Sequence, residues 1–288
     1  MKYAELVKQG QLKLFRSGIN DHDYDAWILV EKICAISRTE YFIKMHDEVP
    51  LDIEEKYFQA IEKRMTHYPL QYIVGEWEFM GLPFKVNENV LIPRQDTELL
   101  VEKAVEVIGA DCYADKQDIN VLDLCTGSGC IAISIAKMCP NTKVTGSDLS
   151  EKALEVANEN ANLNKVDNVH FEKSDLFTNI KGKYNIIVSN PPYIKSEEVE
   201  KLMPEVREYE PRMALDGDAD GLKFYRKIID ECKEYMEKDG YIIFEIGYDQ
   251  SEQVKELLRQ KGFTDIEVLK DLSGNDRVVT GKRRQIYV

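Results

Sequence analysis

With 288 residues the chain is long enough for one large domain or two smaller ones, with room for a sizeable core. Its 43% hydrophobic and 31% charged residues are those of an ordinary globular fold, and no apolar run nears the roughly 18–20 residues that span a bilayer. The net charge of −14, with no basic excess in the first 80 residues or in the remainder, argues against direct binding of nucleic acid and suits a basic protein partner. The N-terminus, "MKYAELVKQGQLKLF", is amphipathic with charges throughout, unlike a signal peptide, so a cytoplasmic location with no membrane partner is expected. Cys34, Cys112, Cys125, Cys130, Cys139 and Cys232 form no CxxC pair and have no His partner at ligand spacing, which predicts free thiols and no metal site.

The first elements are helical. "YAELVKQGQLKLFRSG" carries apolar residues at helical spacing up to a stop at Gly18. "DYDAWILVEKICAIS" repeats the pattern behind an acidic start, and "LDIEEKYFQAIEKRMTHYP" is a third helix ended by Pro69. Residues 1–75 therefore read as a small helical bundle, without a Gly-rich loop or a cluster of catalytic residue types, and suited to recognition or docking. Residues 76–92 alternate apolar and polar positions around Gly81-Leu82-Pro83, which predicts a β-hairpin linker, and "DTELLVEKAVEVIGA" is a helix after it.

From residue 119 strands and helices alternate. Strands are predicted at "NVLDL", "KVTGSDL", "VHFEKSD", "YNIIVSN", "YIIFEIG", "DIEVLKD" and "RVVTG", with helices between most of them, notably "CIAISIAKM", "SEKALEVANENANL", "GLKFYRKIIDECKEYMEK" and "SEQVKELLRQKG". Such alternation predicts an α/β fold for residues 93–288: a seven-stranded, mainly parallel, Rossmann-like sheet covered on both faces.

Within it, "NVLDLCTGSGCIA" is strand, glycine turn and helix. Gly127, Ser128 and Gly129 open a G-x-G-x-x-A pattern, and Asp148 follows 19 residues beyond Gly129, at the end of the next strand. Glycines there let a ligand approach the backbone closely, and an acid so placed accepts from ribose hydroxyls, so an adenosyl cofactor is expected. The nicotinamide fingerprint normally has no acid just before its glycines, whereas this loop, with Cys125 and Thr126, opens on Asp123, which can order the loop and stand near a methionine ammonium. That points to S-adenosylmethionine. Asp175, at the end of the third strand, is placed to meet the adenine amino group, with Leu176 or Phe177 against the ring.

The fourth strand ends in Asn190-Pro191-Pro192-Tyr193. A residue before proline is pushed to extended geometry, and each proline fixes its own φ and lacks an N–H. Asn190 and the Pro191 carbonyl can then accept both hydrogens of one planar NH₂ group, a preorganised clamp for a conjugated amine or amide. Acceptors aimed out of its plane favour a pyramidal nitrogen that attacks a sulfonium methyl in line. Tyr193 is expected to pack against the target group.

With "DLCTGSG" and Asn190-Pro191-Pro192-Tyr193 in one chain, the sequence resembles class I S-adenosylmethionine-dependent methyltransferases. "QYIVG", "LIPRQDTELL", "EPRMALDGDADGL", "FEIG" and "DLSGNDRVV" extend the resemblance, in order and over nearly the whole chain, to the release factor glutamine methyltransferase family, PrmC/HemK. The resemblance implies methylation of the side-chain amide nitrogen of the glutamine in the GGQ motif of bacterial class 1 peptide chain release factors. It implies an N-terminal bundle that helps recognise the release factor, a hairpin linker and a C-terminal methyltransferase domain. It carries the cofactor loop onto Cys125 to Gly129, the ribose acid onto Asp148 and the substrate clamp onto Asn190 to Tyr193, and sets Arg94 near the active site. The sequence departs from the family pattern at Cys125, usually Gly, at Gln95, usually Pro, at Asp96, usually Glu, and at Leu176, where some members carry Trp. Two other readings remain open on the sequence: methylation of a nucleic-acid amino group such as that of adenine, flipped out to reach the clamp, and a docking protein that keeps the fold without the reaction.

Overall fold

The computed structural model describes residues 1–110 and 118–284, so Cys112 lies outside the described residues; the other five cysteines are free thiols. The chain forms two compact units, Met1–Glu76 with Met203–Tyr209, and Trp77–Leu202 with everything described from Glu210 onward.

The first unit contains α1 (Tyr3–Arg16), α2 (His22–Ile33), α3 (Arg38–Lys44), α4 (Leu51–Met65) and α5 (Leu70–Val74). Their apolar stripes meet in a core that includes Leu6, Leu14, Leu29, Val30, Tyr57 and Ile61. Two of these helices were not expected. α3 is capped by Ser37, whose hydroxyl accepts from the Glu40 amide while Glu40 reaches back to the Ser37 N–H; α5 is a single turn between Pro69 and the left-handed Gly75. The core also holds a buried ion pair between α2 and α4, in which Arg64 Nε donates to Asp25 Oδ2 at 2.6 Å, while Arg64 Nη2 meets the half-buried Glu205 Oε2 at 2.7 Å.

The second unit begins with a two-stranded sheet of β1 (Glu76–Phe79) and β2 (Leu82–Lys85), turned at Met80-Gly81, where both φ angles are positive. The pairing stops at Lys85, short of the expected residue 92. A turn replaces it, in which Val90 N–H bonds Asn87 O and Asn89 N–H bonds the Asn87 side chain. Then follow α6 (Glu98–Gly109), β3 (Ile119–Leu124), α7 (Cys130–Met138), β4 (Thr142–Asp148), α8 (Glu151–Asn164), β5 (Val169–Lys173), β6 (Tyr184–Ser189) and α9 (Ser196–Val199). Next is α10 (Pro204–Tyr209), the segment that packs in the first unit, and after it α11 (Lys223–Tyr235), β7 (Met236–Glu245), α12 (Ser251–Gln260), β8 (Phe263–Lys270) and β9 (Asp276–Arg283).

All seven expected strands pair in one sheet, in the order β5-β4-β3-β6-β7-β9-β8. The first four pairings are parallel, and β9 runs antiparallel to both β7 and β8. β6 is buried at every residue, as a central parallel strand covered on two faces must be. One face packs α6 and α7, with Phe79 and Phe84 of the hairpin; the other packs α11 and α12. β7 starts at Met236, so "MEK", expected at the end of a helix, belongs to the strand. The order reverses between β3 and β6, where open α/β sheets gather ligands at the strand C-termini.

Candidate active site

β3, β4 and β6 end side by side, because Leu124 is in register with both Ser147 and Ser189. Beyond these ends lies a cavity of about 560 Å³, lined among others by Cys125, Gly127, Asp148, Asp175, Leu176, Asn190 and Pro192. That volume is within the range of small-molecule sites, about 300–1,000 Å³.

The glycine turn is built for approach by a ligand. Gly127 has φ +54°, and a Cβ there would stand in open space, so the backbone is bare on that side. Its N–H donates to Asp148 Oδ2 at 2.9 Å, and Ser150 N–H donates to Asp148 Oδ1 at 2.9 Å. These bonds hold the carboxylate at the cavity and leave a second lone pair on each oxygen. Burial raises the Asp148 pKa and the three amides of Ser150, Gly127 and Leu149 hold it down. Ser150 also caps α8, accepting from Ala153 N–H at 3.2 Å.

Four expected cofactor residues do not line the cavity; they shape the turn from behind. Asp123, Thr126 and Ser128 are buried, and Thr126 Oγ1 donates to Asp123 Oδ2 at 2.6 Å. A Cβ on Gly129 would press on Ile133, Ala157 and Phe171 at 3.0–3.1 Å. Asp123 Oδ1 is buried without a partner among the described residues, and burial pushes the carboxyl up to about 7. Cys125 has φ +61° and Leu176 φ +50°, the left-handed region that disfavours side chains, and both line the cavity. Burial, with Asp148 and Asp123 next in weight, pushes the Cys125 thiol far up, which favours its neutral form. Phe177 is turned into the core, stacked on Tyr235 with ring centroids 4.6 Å apart, and Phe224 lines the cavity instead.

Asn190 lies one residue past β6. Its Nδ2 donates to Thr97 Oγ1 at 3.3 Å, and neither Asn190 Oδ1 nor the Pro191 carbonyl accepts a hydrogen bond from the described residues. Pro191 is buried, and Pro192 rather than Pro191 or Tyr193 faces the cavity. Tyr193 Oη donates to Glu245 Oε1 at 3.3 Å, and its carbonyl accepts from Gln250 Nε2 at 2.9 Å. The segment after the clamp braces it: Ile194 N–H bonds Leu215 O, Gly217 N–H bonds Ile194 O, and Ser196 Oγ donates to Asp216 Oδ1. Gly217 is obligatory there, since a Cβ would lie 2.7 Å from Tyr193 Cα and 2.9 Å from Pro192 O. Arg94 does not line the cavity; it pairs with the buried Glu210, which also accepts from Ile92 N–H.

Thr97, Glu245, Gly217 and Phe224 were not singled out in the sequence, although all but Phe224 lie inside the segments that carry the family resemblance. Glu245 ends β7, and burial pushes its carboxyl up to about 7 against the lowering effects of Thr97, Arg277 and Tyr193.

A carboxylate at the end of β4, a bare glycine turn and Asn190 past β6 open into one cavity on a sheet whose last strand is antiparallel to its neighbours. This is the arrangement of a class I S-adenosylmethionine-dependent methyltransferase, and the lone pairs of Asp148 and the open face of Gly127 fit that cofactor. A family model described as methyltransferase small domain matches residues 97–206, and one described as PrmC N-terminal domain matches residues 5–75. A release factor glutamine methyltransferase of Clostridium botulinum is 39% identical over 98% of this chain and 100% of its own length. One from Fusobacterium nucleatum is 41% identical over 94% of this chain and 76% of its own. A methyltransferase crystal structure from Pyrococcus furiosus, 16% identical, has a TM-score of 0.51 over 81% of this chain and 99% of that one, a likeness of fold alone. The chain belongs to the release factor glutamine methyltransferase family.

Proposed function

We propose that the protein methylates the side-chain amide nitrogen of the glutamine in the GGQ motif of class 1 peptide chain release factors. The observation that carries the reading is that two acceptors of the clamp turn, Asn190 Oδ1 and Pro191 O, are free of protein donors, while Asn190 opens into the same cavity as Asp148. S-adenosylmethionine, when bound, supplies an electrophilic methyl on a cationic sulfur. Asp148 would hold the ribose, Gly127 the adjacent backbone approach, and Asp175 and Leu176 the adenine end; Asp123 would order the turn through Thr126.

Asn190 Oδ1 and Pro191 O would each accept one N–H of the glutamine amide. That grip opposes conjugation of the nitrogen lone pair with its carbonyl and aims it. In the balance of the reaction the nitrogen gains the methyl through its lone pair, the carbon–sulfur electrons stay on sulfur, and one amide hydrogen leaves as a proton. Pro192 walls the cavity beside the clamp, and Tyr193 would hold the turn in place through Glu245. The helical bundle would recognise the release factor, a reading supported by the family model over residues 5–75. The acidic balance of the chain fits a protein substrate better than a nucleic acid, and a release factor substrate implies work in the cytoplasm.

The test is transfer of labelled methyl from S-adenosylmethionine to a purified release factor, to its Gln→Ala variant, and to RNA and DNA. Label in the intact factor alone supports the reading; equal label in the variant, or label in nucleic acid and not in protein, overturns it.

A further inference from the structure

A turn built on two prolines is stiff within itself but hard to tie to its surroundings. Pro191 and Pro192 fix their own φ angles, and neither has an N–H through which the protein could hold the turn in place. The ties must come through carbonyls and side chains, and the Pro191 carbonyl is one of the two acceptors that the substrate needs free. The Tyr193 carbonyl, on the last residue of the clamp, is a point where the turn can be anchored without occupying either of them.

That carbonyl accepts from Gln250 Nε2 at 2.9 Å. Gln250, the residue before α12, is buried, and the other end of its amide settles which way round it stands. Gln250 Oε1 accepts from Gly247 N–H at 2.9 Å, and a backbone N–H can only donate. The Gln250 N–H donates back to Gly247 O at 3.0 Å, so the side chain is held in a small closed ring. Nε2 therefore points at acceptors, and it carries two hydrogens. Its second acceptor is Gly221 O, at 3.4 Å, in the segment just before α11. Asp216 and Asp218 of that segment line the cavity, as do Lys223 and Phe224 at the start of α11, and Asn190 and Pro192 of the clamp line it too. The junction is tight: Gly221 has φ +74°, and a Cβ there would strike Tyr193 O and stand 2.6 Å from Gln250 Nε2. One buried NH₂ group thus joins the clamp turn to a loop of the same cavity.

We propose that Gln250 is a positioning residue for methyl transfer: by donating to Tyr193 O and Gly221 O together, it fixes where the clamp turn stands relative to the cavity loop. This rests on the reading of Asn190 and Pro191 as the substrate clamp. Gln250 does not line the cavity, so it acts through the backbone of Tyr193 rather than on the substrate. Without its donors both carbonyls lose this partner and the turn is free to shift, and a displacement of about 1 Å at a reacting group costs on the order of 100-fold in rate. A buried amide is worth keeping at this place because both of its ends are met, where an unmatched one would be costly.

The test uses Gln250→Glu, Gln250→Met, Gly221→Ala and Asn190→Ala in the full chain with a release factor substrate, measuring kcat, KM for the factor, and the Kd and stoichiometry of S-adenosylmethionine. Glutamate keeps the acceptor for Gly247 N–H, methionine keeps the length without charge, and the two have only the lost NH₂ group in common. Each is expected to lower kcat about 10- to 100-fold, with KM within about threefold and cofactor Kd within about twofold of wild type, and one cofactor still bound per chain. Gly221→Ala breaks the same junction from the other side, so its loss combined with that of Gln250→Glu should be well short of additive. Should Gln250→Glu fail to fold, Gln250→Met and Gly221→Ala carry the same readouts. Wild-type kcat in either Gln250 variant, a cofactor Kd weakened as much as kcat falls, or additive losses in the double variant overturns the proposal. Asn190→Ala separates the two levels: its inactivity beside a fully active Gln250→Glu sinks the positioning role alone, whereas an active Asn190→Ala sinks the clamp as well.

Discussion

Asp148→Asn is the change whose effect on the cofactor follows most directly from the geometry. Each carboxylate oxygen takes one backbone N–H, from Gly127 and from Ser150, both at 2.9 Å. An Asn has one acceptor and one donor, so whichever way it stands, an NH₂ group faces one of those N–H groups. One turn bond is lost, and with it a charged acceptor for the ribose hydroxyls. A charge-assisted hydrogen bond contributes about 1.5–3 kcal/mol, and an unsatisfied buried N–H costs about 1–3 kcal/mol, part of which is recovered by relaxation of the turn. A net loss of about 2–3 kcal/mol in cofactor binding corresponds to a Kd weaker by roughly 30- to 150-fold. Calorimetric titration with S-adenosylmethionine and, separately, S-adenosylhomocysteine reads this directly. The two losses should be equal, because the carboxylate is assigned to the ribose and not to the charged sulfur. A loss confined to the sulfonium form, or none with either, would refute the assignment.

Three further outcomes are expected. Asp123 and Glu245 have carboxyls pushed up to about 7 by burial, from 3.8 and 4.5 in the unfolded chain, so between those values the folded protein binds more protons than the unfolded one. Its stability therefore falls as pH rises from about 4 toward 7, by an amount of the order of 3 kcal/mol per group, and the urea midpoint without cofactor should drop between pH 5 and 7.5, less so in Asp123→Asn. Gly217→Ala should reduce kcat about 100-fold with cofactor affinity nearly unchanged, because its Cβ would displace the backbone of Tyr193 and Pro192. Arg64→Met should destabilise the bundle by about 3–5 kcal/mol, read as a lower thermal midpoint, because it leaves Asp25 buried without its partner.

Much of this was written in local pattern. A parallel strand covered on both faces must be apolar nearly throughout, and "YNIIV" and "NVLDL" announce themselves on that ground. The glycine turn and the two prolines are equally local, since each fixes backbone angles by its own chemistry. What escaped the sequence depends on distant segments meeting. Glu245 is brought to Tyr193 by β7 pairing beside β6, and Thr97 meets Asn190 from the residue before α6, encounters that local pattern does not contain. In the expected cofactor turn Cys125, Gly127 and Gly129 are all left-handed, and the chain so bent buries the side chains of Asp123, Thr126 and Ser128 away from the cavity. α10 leaves the second unit because Glu205 completes the Arg64 pair and Tyr209 donates to Thr66 O, contacts more than 130 residues apart in the chain.

The most direct measurement is mass spectrometry of the GGQ peptide of a release factor after incubation with this protein and methyl-deuterated S-adenosylmethionine. The account predicts one labelled methyl on the glutamine side-chain nitrogen, and none when Asn190→Ala replaces the wild type. A label on any other atom of the factor, or an unmodified glutamine under turnover conditions, would contradict it.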